Sequence, residues 1–267
     1  MISPALQPKK PTQKRFTAVR VIAALILREM ATRYGRSPGG YVWAFLEPLG
    51  GIIILSYAFS LLLRTPSLGT SFLLFFAAAY LPLQAYSNVA GATQHALSYS
   101  KALLRYPVVS WIDAILARFL LNGLTSSLVT YVLLTGILAF SETRSVLDFV
   151  PLFQAVGLAL LVGLGVGTFN SVIEGFFPIY QRIWQIISRP LFLASGLFYI
   201  YEELPKLAQD ILWFNPLMHI SGLMRTGVFT TYHPEYISKI YVLVFGLFFA
   251  FFGFLLLRRF HRDILTR

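Results

Sequence analysis

The 267-residue sequence carries a formal net charge of +11, yet only 12% of it is charged, 57% is hydrophobic and its mean hydropathy is +0.68. Soluble domains average about 25% charged residues, so the composition excludes an ordinary globular enzyme, and it excludes a basic nucleic-acid-binding domain because the apolar excess must be hidden from water. Disulfides, thiolate catalysis and cysteine metal sites drop out too, since there is no cysteine.

In chain order, residues 1–16 are polar and basic, with Pro4, Pro8 and Pro11 among Lys9, Lys10, Lys14 and Arg15. They read as a disordered tail rather than a cleavable signal peptide, because no apolar stretch ends in a small-residue cleavage site. Residues 17–36 read as an amphipathic helix lying in the cytoplasmic interface. Val19, Ile22, Ile26 and Met30 fall on one side, and Thr17, Arg20, Arg28 and Thr32 on another. Such a helix is either a plain anchor or the frame of a lateral doorway for a lipid-linked substrate.

A helix needs roughly 20 apolar residues to span a bilayer. Six stretches of the 37–257 region approach this: 43–63, 72–92, 119–140, 150–173, 183–200 and 240–257. The fold expected is therefore all-α and polytopic, with both termini on one side. Of the 22 Lys and Arg, 17 fall in the N-terminal segment, the 93–118 and 173–189 regions and the 258–267 tail, against five on the other side. That asymmetry places both termini in the cytoplasm.

Two connections are more than turns. Residues 93–112 hold Leu97, Leu103 and Leu104 among Tyr99, Lys101 and Arg105, and Pro107 biases Tyr106 out of helical geometry. This segment suits docking of a soluble partner as well as it suits a solvated turn. On the outer side, 201–238 reads as a helix pair. Glu202 and Glu203 open the first helix, which runs to Trp213, and Asn215-Pro216 caps a second that extends to about Phe229. The pair is expected to fold back on the outer interface, as an exit plug or as a packed lid.

Chemical motifs are sparse. There is no Walker A sequence, and Gly163, Gly165 and Gly167 sit inside a span, where they serve close helix approach. The four histidines share no metal-ligand spacing, so no metal site is expected. Glu47 and Arg189 are ionisable residues near the cytoplasmic ends of spans, where they either snorkel or face a substrate. Tyr57, Tyr80, Tyr86 and Tyr199 either pack the core or offer flat faces and hydroxyls to sugar rings. A membrane-embedded lipid-sugar transferase would need a catalytic polar cluster that the sequence does not supply.

The segments Leu27-Arg28-Glu29-Met30, Thr32-Arg33-Tyr34-Gly35 and Gly40 to Pro48 resemble the N-terminal signature of type-2 ABC exporter permeases, in particular those of capsule polysaccharide exporters. Tyr106-Pro107-Val108 with Ile112-Asp113, Arg189-Pro190-Leu191, and Trp213 to His219 resemble later parts of that family. Sister exporters of O-antigen or teichoic acid would share the architecture.

The resemblance implies a homodimer docked to two copies of a separate cytoplasmic ABC ATPase, which binds ATP and Mg; no cofactor is implied on this chain. It implies export of a lipid-linked acidic polysaccharide across the bacterial inner membrane, together with periplasmic and outer-membrane export proteins. Arg28, Arg33, Arg36, Glu47, Arg182 and Arg189, with the four tyrosines, would then belong to the substrate path. Leu97, Tyr99, Lys101, Leu104, Arg105 and Tyr106 would couple to the ATPase. Glu202, Glu203, Trp213, Asn215, Pro216, His219 and Arg225 would form the outer gate.

Overall fold

The computed structural model describes residues 14–34, 39–106, 108–141 and 147–266. Ten helices and three short 3₁₀ turns, with no strand among the described residues, run in chain order as α1 Lys14–Tyr34, α2 Trp43–Ser60, α3 Phe72–Gln94, α4 Ala96–Tyr99, α5 Trp111–Phe140, α6 Phe149–Phe176, α7 Tyr180–Leu193, α8 Lys206–Leu212, α9 Pro216–Val228 and α10 Lys239–Thr266. Of these, α2 (with its preceding turn), α3, α5, α6 and α10 are long and apolar enough to cross a bilayer.

Helix starts follow local chemistry. Ser71 Oγ accepts from Leu74 N, Asp148 Oδ1 from Val150 N and Asn215 Oδ1 from Leu217 N. A capping box, in which Ser110 N donates to Asp113 Oδ2 at 3.0 Å, starts α5 at Trp111, eight residues before the expected span. Tyr106 is extended (φ −86°, ψ 131°), as its following proline requires.

α3 lies at the centre, packed by α6, α5, α9 and α2, while α6 also packs along α10 and α1 lies on α5. Close approach at α6 depends on its glycines. A Cβ at Gly163 would meet Tyr86 O of α3 at 2.9 Å, and one at Gly165 would meet Gly246 O of α10 at 2.5 Å.

Three expectations differ. α1 begins at Lys14, inside the segment read as a disordered tail. The 183–200 stretch is not one long helix. α7 has 14 residues, about 21 Å at 1.5 Å each, and the chain turns through Ala194–Gly196, where Gly196 adopts φ +74°. The rest of the way to Glu203 is turn and extended chain. Finally, α9 does not lie on a surface, because every residue but Thr226 is buried, wedged against α3 and α6. Apolar side chains surround that helix (Leu217, Met218, Ile220, Leu223, Met224), which favours burial over an interfacial position.

Between Phe177 and Glu203 the chain passes from one end of the bundle to the other. Gln181 shares a cavity with Gln94 at the end bearing α4, whereas Ser67 Oγ donates to Glu203 at the opposite end.

Candidate functional site

α7 has no buried residue. Ile183, Ile186, Ile187 and Leu193 are exposed on its outward side. Gln181, Trp184, Gln185, Ser188 and Arg189 line a cavity of about 330 Å³ against Tyr86, Ser87, Gln94 and His95 of α3 and its end. A second cavity of about 340 Å³ shares Gln94 and Gln181 and adds Lys101, Ser171 and Glu174. The two make a polar groove between α3, α6 and α7 that reaches the α4 end of the bundle, within the usual size range of ligand pockets.

The groove is braced at its base. Gln94 Nε2 donates to Glu174 Oε2 at 2.7 Å, and His95 Nδ1 lies 3.2 Å from Glu174 Oε1. Tyr180 OH donates to Asn170 Oδ1 at 2.9 Å and its ring stacks on Trp184, with centroids 6.1 Å apart. Glutamine amides and serine hydroxyls that both donate and accept, beside the rings of Tyr86, Trp184 and Phe192 and one exposed guanidinium, suit hydroxyl-rich ligands carrying negative charge.

At the far end, Asn215 fixes the turn after α7. Its Nδ2 donates to Ala194 O (3.1 Å) and Ser195 Oγ (3.2 Å), and Ser221 Oγ donates to Ser195 O at 2.7 Å. His219 is buried with Nε2 at 2.7 Å from Trp213 O, while its Nδ1 accepts from Ser238 N, a pairing that sets the neutral ring with its proton on Nε2. Burial lowers its pKa. Arg225 is 1% exposed. It donates to Tyr199 O at 2.8 Å and Leu197 O at 3.4 Å, and lies 4.3 Å over the Phe75 ring. Burial pulls its guanidinium down to about 10, so it stays charged at neutral pH.

The expected site residues divide among several places. Arg189, Tyr86 and Lys101 line the groove, and Arg182 is exposed beside it on α7. Tyr80 is half-buried against Phe192, and Tyr199 is half-buried with its carbonyl held by Arg225. Glu47 is exposed at the rim of a separate pocket of about 50 Å³ with Gln84, Asn88, Asn122 and Ser126. Tyr57 is 68% exposed on α2, away from the groove. Arg28 is exposed on α1, Arg33 falls in its last turn, and Arg36 lies outside the described residues.

In the 93–112 segment, Tyr99, Arg105 and Tyr106 are exposed and Leu104 is half-buried. Leu97, read as a docking residue, is buried with Ile115, Val172 and Leu257. Glu202 accepts from Tyr232 OH at 3.0 Å and Glu203 from Ser67 Oγ at 2.9 Å, while Trp213 packs on Tyr241 and His219. Gln94, His95, Glu174, Gln181, Gln185 and Ser188 escaped sequence reasoning. The recurrence of Gln181, Gln185, Ser188 and Arg189 on one side of a helix was the available signal.

Residues 20–229 match the model of the ABC-2 type transporter family. The chain is 30% identical over 245 residues to the polysialic acid transport protein KpsM of Escherichia coli, covering 92% of this chain and 95% of that protein. It is 28% identical to the capsule polysaccharide export inner-membrane protein BexB of Haemophilus influenzae (96% and 97% covered), and 27% identical to CtrC of Neisseria meningitidis serogroup B, which bears the same description (92% of each). With most of its length matched and its long apolar helices in place, the chain belongs to the ABC-2 type transporter family.

Proposed function

We propose that this protein is the membrane permease of an ATP-driven exporter that moves a lipid-linked capsular polysaccharide across the bacterial inner membrane. The polar groove between α3 and α7 carries the reading, since it sets sugar-compatible amides, aromatic faces and Arg189 within an otherwise apolar bundle. The names of the relatives supply the polymer class.

Both termini face the cytoplasm in this reading, following the 17-to-5 basic asymmetry, and the 177–203 passage serves as the sixth crossing. A second copy covers the outward sides of α2 and α7. That placement is supported by α7 having no buried residue and by Ile53, Ile54 and Tyr57 being exposed on α2. A separate ATPase docks at the 95–106 connection and supplies ATP and Mg chemistry. Periplasmic and outer-membrane export proteins receive the polymer on the other side.

Arg28, Arg182 and Arg189 draw the acidic end of the polymer toward the groove over a range of about 8 Å in physiological salt. Tyr86, Trp184 and Phe192 let sugar rings pass without fixed hydrogen bonds, and the Asn215–Arg225 assembly guards the outer exit. In an Arg189→Ala variant, surface polymer should fall while membrane insertion and ATPase co-purification stay at parental levels. Unchanged surface polymer rejects the role given to Arg189, and turnover of a lipid-sugar donor without ATP rejects the exporter reading.

A further inference from the structure

Arg118, in the second turn of α5, holds three other helices at once. Its Nε lies 3.0 and 3.1 Å from the two carboxylate oxygens of Glu29 on α1, and Nη1 donates to Ala92 O near the end of α3 at 3.1 Å. The guanidinium also lies over the Tyr99 ring of α4, 4.2 Å from its centroid. Tyr99 closes a loop of contacts, because its hydroxyl shares a 2.7 Å hydrogen bond with Thr32 Oγ1, back on α1. Arg28 of α1 stands 6.0 Å from the same ring.

The cluster is tight. Glu29 is 5% exposed, and the space among Leu25, Glu29, Tyr99, Ala114 and Arg118 amounts to about 10 Å³, at or below what a single water needs. The contacts are therefore direct. Stability alone is a weak reason for such a pair, because replacing both members of a buried ion pair by apolar side chains is often neutral or better. What the pair does supply is a planar cation of fixed direction, against which one ring is clamped. α4 is a single turn that buries only Ala96 and Leu97, so Tyr99 cannot shift without disturbing both Arg118 and Thr32.

We propose that Tyr99 and Arg118 form a mechanical link that makes the 95–106 connection and the N-terminal helix α1 move as one body. Tyr99 is then a positioning residue that acts through Arg118 and Thr32, rather than only a surface for a docked protein. The link rests on the permease reading only for the origin of the push, which is the ATPase bound at the connection. Its effect is to carry that push to α1 at the cytoplasmic mouth.

The absence of native cysteine permits direct observation. Cysteines introduced at Leu27, which is 66% exposed, and at exposed Ser98 accept spin labels for distance measurement in the full complex, with and without ATP. The short distance within each protomer is expected to be narrow and unchanged by nucleotide in the otherwise parental chain. Tyr99→Ala should broaden or split it, whereas Tyr99→Phe, which keeps the ring over the guanidinium, should leave it close to parental.

The second readout sets surface polymer in cells against ATP hydrolysis by the purified complex. Polymer per hydrolysed ATP should fall at least about five-fold in Tyr99→Ala. A residue that merely docks the ATPase would lower both together. An unbroadened distribution in Tyr99→Ala, or an unchanged ratio, overturns the link. If the parental complex exports no polymer with ATP, the permease reading fails, and the distance measurement still decides the link.

Discussion

Gln94 ends α3 by donating a 2.7 Å hydrogen bond to Glu174, near the end of α6, so that the two central helices are tied together at the base of the polar groove. His95 adds a second contact to the same carboxylate at 3.2 Å. Replacing Glu174 with Ala removes the acceptor from both groups in a partly solvated setting. The expected cost is about 1–2 kcal/mol, read as a lowered melting temperature of the detergent-solubilised protein. Glu174→Gln keeps an acceptor for Gln94 and should lose less. A melting temperature unchanged in Glu174→Ala would show that the tie does not contribute to stability.

Asn215 performs two tasks with one side chain. Its oxygen caps α9, and its amide nitrogen holds Ala194 O and Ser195 Oγ at the turn after α7. Asn215→Ala forfeits the cap and leaves the half-buried Ala194 carbonyl without this donor, for an expected loss of about 1–2 kcal/mol. Asn215→Asp retains the capping oxygen but sets a carboxylate against that carbonyl, so it should be no more stable than the alanine variant. Chemical denaturation of the three proteins checks the order.

The long apolar helices were legible because their signal is local: some twenty apolar residues between polar flanks. The cap at Asn215 was of the same kind, with a short polar side chain just ahead of an apolar run. The 183–200 stretch misled because its hydropathy suits a span, while the helix runs through Pro190 only as far as Leu193 and the chain then turns at Gly196 with φ +74°. α9 misled for a different reason. Arg225 and His219 argue for a surface in any sequence reading, and their burial rests on Leu197 O, Tyr199 O, Trp213 O and Ser238 N, backbone groups that no side-chain pattern announces. The groove was half legible, through Arg189 and Tyr86. Its Gln94–Glu174 base joins residues 80 positions apart, which only the packing of α3 on α6 brings together.

His219 gives a pH dependence with a definite sign. Burial holds its folded pKa below the usual value of about 6.5, so under that pH the unfolded chain binds the proton more readily than the folded one. Its contribution is fully present above about pH 6.5 and is lost as the pH falls through the folded value. Melting temperatures taken from about pH 7.5 down to about pH 5 should decline less steeply in His219→Gln than in the parent. Parallel curves would remove His219 from the acid response.

Gly167 offers the sharpest packing test, because it stands where α6 comes nearest to α3. A Cβ at this position would run into Thr93 Oγ1 and lie 2.5 Å from Ala90 O. The threonine hydroxyl already donates to Val89 O at 2.8 Å and to Ala90 O at 3.2 Å, so turning it away breaks those bonds, and the backbone carbonyl cannot yield by rotation. The helices must separate instead, which loosens the α3–α6 contact that also carries Gln94 and Glu174. Gly167→Ala should therefore destabilise the protein by about 1–3 kcal/mol. Gly157→Ala, on the same helix with open space around it, should cost nothing or gain slightly in helix propensity. Thermal unfolding of the two variants side by side separates a close-approach requirement from a general intolerance of α6 to substitution, and equal behaviour would reject the close-approach account.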